Sequence, residues 1–145
     1  MRLQTLRHRL LIELAAVAIS AMAIAWSGFA QAQAPAAQSS SERGVTVKVT
    51  PKAIGPGASE WEFAVVLDTH SADLSDDLVS TAVLVVDGTE VRPVAWTGAA
   101  PGGHHREGTL RFPAVPQAPQ VIELRIQRPG EASARVFRWD GAALR

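Results

Sequence analysis

The sequence contains no cysteine and no tyrosine, and both of its methionines, Met1 and Met22, fall in the first 22 of 145 residues. Without cysteine there is no disulfide, no thiolate ligand and no lipid-bearing cysteine, so packing alone has to hold the fold. Without methionine beyond residue 22 there is no thioether donor either, which removes the soft ligands that Cu(I) prefers. Basic residues are not in excess: 14 Lys and Arg balance 14 Asp and Glu. No concentrated basic face of the kind that nucleic acid requires is present, and no nucleic-acid partner is expected.

Long apolar runs are also absent, with one exception. "LLIELAAVAISAMAIAW" occupies residues 10–26, after Arg2, Arg7 and Arg9 and before "SGFAQAQA". The last of these offers small-x-small cleavage patterns at Ala30-Gln31-Ala32 and Ala32-Gln33-Ala34. Basic, apolar and small-residue regions in that order predict a secretory signal peptide over residues 1–32. As an uncleaved anchor the run would fall short of the roughly 20 residues that a spanning helix needs, and it would bury Glu13. The expected protein is therefore periplasmic or secreted, with no membrane span after cleavage. Removing residues 1–32 takes away three arginines and Glu13, leaving 11 basic and 13 acidic residues and a net charge of −2. The remaining 113 residues suit one domain, large enough to bury a core.

Residues 33–43, rich in Ala, Gln and Ser, read as a flexible leader. From Gly44 the texture becomes short alternating apolar runs between Gly, Pro and Asp turns. "VTVKVT" (45–50), "WEFAVVLD" (61–68) and "TAVLVV" (81–86) come first. Asp87-Gly88 then gives a type I′ hairpin signal into "TEVRPVAW" (89–96), where Pro93 implies an edge or a bulge. "TLRF" (109–112), "VIELRIQ" (121–127) and "SARVFRW" (133–139) follow. No helix is expected beyond the leader. The fold class is all-β: an immunoglobulin-like β-sandwich of about seven antiparallel strands over residues 44–140, monomeric, and without the Cys…Trp…Cys pattern of antibody domains.

If consecutive strands alternate in direction, the connections at 69–80, 97–108 and 128–132 share one end of the sandwich. Every histidine after the leader falls there: His70, His104 and His105. Loops at one end of a rigid sandwich are where function is normally carried. Asp68 and His70 are two apart, so a continuing strand puts both on one face. His104 and His105 are adjacent and point to opposite faces unless Pro101-Gly102-Gly103 turns the chain. Asp73, Asp76 and Asp77 sit at the same end. One functional reading is a divalent-metal site of Asp68, His70, His104 and His105, since imidazole and carboxylate suit Zn(II), Cu(II) or Ni(II), with Zn or Cu(II) the expected ion. Another is that these side chains pin the loops by hydrogen bonds, and a third is a small-molecule or peptide site.

Catalysis is not expected, and no catalytic residue is assigned. Ser71 beside His70 supplies the residue types of a triad, but no strained elbow presents the serine, and so small a sandwich leaves little volume for a pocket. Trp61 and Trp139 lie on apolar faces and read as core. Trp96 borders the histidine loop and could belong to core or site. The arginines of "RVFR" (135–138) read as solvated.

The run "EFAVVLDTHSADL" (62–74), with "AWTGAAPGGHHREGTLRFP" (95–113) and the closing "RVFRW" (135–139), resembles a family of small exported bacterial β-sandwich domains with D-T-H-S and G-G-H-H motifs and no assigned activity. The resemblance covers most of the chain after the leader. It implies that Asp68, His70, His104 and His105 belong together, without naming a ligand. The plan is also similar to small periplasmic copper-carrier sandwiches, but it lacks their methionine-rich loops and a histidine at the mature terminus. The competing reading is a non-catalytic structural or interaction module of the cell envelope, with an envelope protein as partner.

Overall fold

Alternation of apolar and polar residues drives strand formation here, because a period of two puts every second side chain on one face. The computed structural model describes residues 35–144, and the predicted signal peptide lies outside them. Nine strands form among these residues: β1 (Gln38–Glu42), β2 (Val45–Ala53), β3 (Glu60–Thr69), β4 (Ala82–Val86), β5 (Thr89–Val91), β6 (Ala95–Gly98), β7 (His105–Pro113), β8 (Val121–Ile126) and β9 (Arg135–Asp140). They make two antiparallel sheets, ordered β1-β2-β3-β7-β6 and β5-β4-β8-β9. The result is the expected all-β sandwich.

The inner faces follow the predicted parity. Val45, Val47 and Val49 join Trp61, Phe63, Val65 and Leu67 from the first sheet, and Ile122, Leu124, Ile126, Phe137 and Trp139 from the second. Full burial of such side chains contributes on the order of 1.5–3 kcal/mol each. Phe63 links the layers. Its ring meets Phe112 edge-on at 5.7 Å within its own sheet and Trp139 at 5.7 Å across the core. With no disulfide, this layer carries most of the apolar driving force.

Four expectations need correction. Residues 38–42, expected within a flexible leader, form β1, because the backbone of β2 offers a free edge and β1 pairs along it from Glu42↔Val45 to Gln38↔Val49. The expected strand 89–96 is two strands in different sheets. The segment Arg92-Pro93-Val94 between them is not strand, as a proline without an N–H would break a ladder. The expected "TLRF" strand starts four residues earlier, at His105, since the pairing of β3 with β7 continues to Asp68↔His105. Finally, a one-turn helix, α1 (Leu78–Thr81), precedes β4, capped by the Asp77 carboxylate on the Val79 and Ser80 amides. A 3-10 turn, Gly141–Leu144, follows β9.

Two tight turns share a backbone form. Arg43 and Gly44 have φ of 49° and 76°, and Asp87 and Gly88 have 48° and 87°. Positive φ at both central positions is the type I′ geometry expected at Asp87-Gly88. Asp87 also turns its carboxylate onto the Gln120 and Val121 amides at 2.9 and 2.8 Å, fastening the 114–120 connection.

Candidate functional site at the loop end

The end of the sandwich where β3, β6 and β8 finish is built from three connections, 70–77, 99–104 and 127–134. As strand parity predicts, the first two meet. The Thr69 amide donates to the His104 carbonyl at 2.9 Å and the Gly102 amide to the Leu74 carbonyl at 3.0 Å. The Thr69 hydroxyl donates to the Gly44 carbonyl at 2.8 Å and accepts from the Ser71 and Ala72 amides. It thus turns the chain in the way expected of an Asx or Ser/Thr turn.

The side chains that bind this end together are arginines. Arg106, on the inner face of β7 and 2% exposed, donates to the carbonyls of Ala99 at 3.0 Å and Asp76 at 2.5 Å. Its guanidinium lies 5.2 Å from the centre of the Trp96 ring, a cation–π contact. Arg128, 6% exposed, forms a two-pronged pair with the fully buried Asp76 at 2.8 and 2.9 Å. Arg128 also reaches the Asp73 carbonyl at 3.4 Å. Glu131 stands 3.6 Å from Arg128 and holds Arg135 with both oxygens, at 2.5 and 3.0 Å. Arg135 holds the carboxyl of Glu131 below the usual carboxylate range. A continuous polar network therefore crosses the end of the molecule in the order Arg106, Asp76, Arg128, Glu131, Arg135.

Sequence reasoning missed this network. Arg135 was expected to be solvated, yet it is 2% exposed, while Arg138 on the other face is exposed as expected. Its position on the same face of β9 as Phe137 and Trp139 was the available signal. A long side chain on an apolar face at a strand end can bury its stem and turn its head onto loop carbonyls.

The expected site residues divide. Asp68 and His105 come together: as cross-strand partners on the outer face, they place imidazole Nδ1 2.5 Å from the carboxylate. His105 Nε2 lies 3.6 Å from Glu107 two residues on. The hydrogen bond to Asp68 raises the pKa of His105 above the ordinary imidazole value. His70 and His104 are exposed, and the Asp73 side chain is exposed as well. Ser71 stands against Gly44, where a Cβ would meet its hydroxyl at 2.8 Å. Trp96 is half-buried, with its indole N–H donating to the Ala99 carbonyl at 3.0 Å. It lies against the facing pair Gly98 and Gly108, where a Cβ on Gly108 would sit 2.6 Å from the ring.

Among the described residues, no three His, Cys, Asp or Glu side chains are placed to hold a metal ion together. Of the four expected ligands, Asp68 and His105 are in contact, with the carboxylate accepting a hydrogen bond from the ring. Two clefts, of about 290 and 250 Å³, reach Asp87 at the opposite end, the first running from there along the outer face of the second sheet to Arg125. Asp87 lines both, with Glu123, Arg125 and Arg138 in the first and Val91, Val115 and Pro116 in the second. Glu123 bridges Arg125 and Arg138 at 2.6 Å each, which holds its carboxyl below the usual range. No helix among the described residues is long and apolar enough to cross a membrane.

No family model matches the sequence, and no curated protein matches it. Among solved structures, the chain is similar to MPT63, a secreted protein from Mycobacterium tuberculosis. The match has 14% identity and a TM-score of 0.42, and it covers 72% of this chain and 92% of that one.

Proposed function

We propose that the protein is a non-catalytic interaction module, exported to the periplasm or beyond, that presents its loop end to an envelope partner. The observation that supports this reading is the use to which the loop end puts its polar groups. Asp76, Arg106, Arg128 and Glu131 are spent on their own loops and on one another. Asp68 is spent on His105. Such bonding stiffens the loops and leaves His70, His104 and Asp73 exposed on a rigid surface. A pre-ordered surface loses less entropy when it binds. Export rests on the leader pattern of residues 1–32. The narrower reading, a Zn or Cu(II) site of Asp68, His70, His104 and His105, would require these side chains to move from the positions they hold.

Two measurements separate the readings. A photo-crosslinker placed at position 70 or 104 in the exported protein gives a discrete adduct with an envelope protein, and one at position 88, at the far end, does not. Titration with Zn(II) and Cu(II) gives no stoichiometric uptake. Uptake of one equivalent that His104→Ala/His105→Ala abolishes would replace the module reading with the metal reading.

A further inference from the structure

Residues 36–42 run along one open side of the sandwich, between the outer edges of β2 and β9. β1 pairs with β2, but its side chains, Gln-Ser-Ser-Ser-Glu, add nothing apolar to the core. What ties it to the opposite sheet comes from the last strand. Arg135 donates to the carbonyls of Ser40 and Glu42 at 2.9 Å each and of Val45 at 2.8 Å. The Gln38 amide bonds the backbone of Arg138 on both sides, accepting from its N–H at 3.1 Å and donating to its carbonyl, much as a neighbouring strand would. The Trp139 indole donates to the Ala36 carbonyl at 2.7 Å. These partners are separated by 90 to 103 residues of sequence.

The connection to β2 is the two-residue turn Arg43-Gly44. Arg43 has a left-handed φ of 49°, a conformation that is unfavourable for a residue bearing Cβ. Buried apolar area therefore holds β2 to β9, whereas hydrogen bonds hold this segment. Each such bond adds little net stability, because on folding it replaces a bond to water. Segments with few apolar contacts are the ones that open locally.

We infer that residues 36–42 form a strap that opens as a unit of its own, hinged at Arg43-Gly44 and locked by Arg135. Glu131 aims the lock. The strap closes only once β9 is in place, because its fastenings to the second sheet come from Arg135, Arg138 and Trp139. Closure covers the backbone edges of β2 and β9, which would otherwise face solvent side by side as templates for strand pairing.

Hydrogen exchange read by mass spectrometry on the exported protein tests this. Arg135→Gln speeds exchange in residues 36–42 by about tenfold or more, while residues 61–67 and 121–126 stay within about twofold of the wild type. Gln38→Ala, which removes the two amide bonds to the Arg138 backbone and no buried apolar side chain, accelerates the same segment to a smaller degree and keeps the test decisive if Arg135→Gln does not fold. Two results overturn the proposal. One is strap and core exchange rising together in Gln38→Ala or in a folded Arg135→Gln protein. The other is wild-type exchange of the strap in Gln38→Ala.

Discussion

Asp76 and Arg128 meet in a two-pronged ion pair at 2.8 and 2.9 Å, across 52 residues of sequence, with the carboxylate fully buried. The pair joins the 70–77 connection to the 127–134 connection, and Arg106 hangs on the Asp76 carbonyl from a third element. Breaking a buried pair by neutralising one partner leaves the other charge without compensation. Asp76→Asn is expected to cost about 3–5 kcal/mol, read as a lower midpoint in urea with an unchanged slope. A loss below about 1 kcal/mol, the size of an exposed pair, would mean that solvent reaches Arg128.

The exposed pair at the same end behaves differently. His105 has its pKa raised by Asp68, so the folded chain keeps the proton at a pH where the unfolded chain has released it. The pair therefore adds stability below the ordinary imidazole pKa of 6.5, and that stability is lost as pH rises through the higher folded value. An NMR titration of the His105 ring is expected to move to lower pH in Asp68→Asn. An unmoved midpoint would show that the contact does not persist in solution.

Glu131 carries the opposite sign. Its pKa is lowered by Arg135, so its contribution is present above the ordinary value of 4.5 and lost as pH falls through the folded one. Glu131→Gln is therefore expected to destabilise the protein at neutral pH and to flatten the fall in stability below pH 4.5. Thermal melts of both proteins at pH 7 and pH 3 measure this. Parallel pH profiles would remove Glu131 as a source of the acid sensitivity.

Gly108 is held to glycine by crowding. A Cβ there would stand 2.6 Å from the Thr97 carbonyl oxygen, 2.6 Å from the Trp96 ring and 2.7 Å from Gly98 Cα. Gly108→Ala is expected to cost about 1–3 kcal/mol, the range for overpacking. It should also change the near-ultraviolet signal of Trp96, whose ring has to move. An unaltered spectrum with full stability would mean that β6 can slide away freely.

By itself the sequence determined the layer structure. The alternation in 45–50, 61–68, 121–127 and 133–139 is local, and a period of two assigns inner and outer faces before any partner is known. For that reason Trp61, Phe63, Leu124 and Trp139 lie where the pattern puts them. The Asp87-Gly88 turn was legible for the same reason, since its backbone form depends on two adjacent residues. Parity carried this as far as bringing the three connections to one end. Only the tertiary structure decided what those connections do there. Which aspartate pairs outward with a histidine and which sinks beneath an arginine depends on partners 37 and 52 residues away. Likewise, only the fold turned a polar leader into β1, through Arg135 more than 90 residues on. A guanidinium's choice between water and loop carbonyls depends on long-range burial, and no local period encodes it.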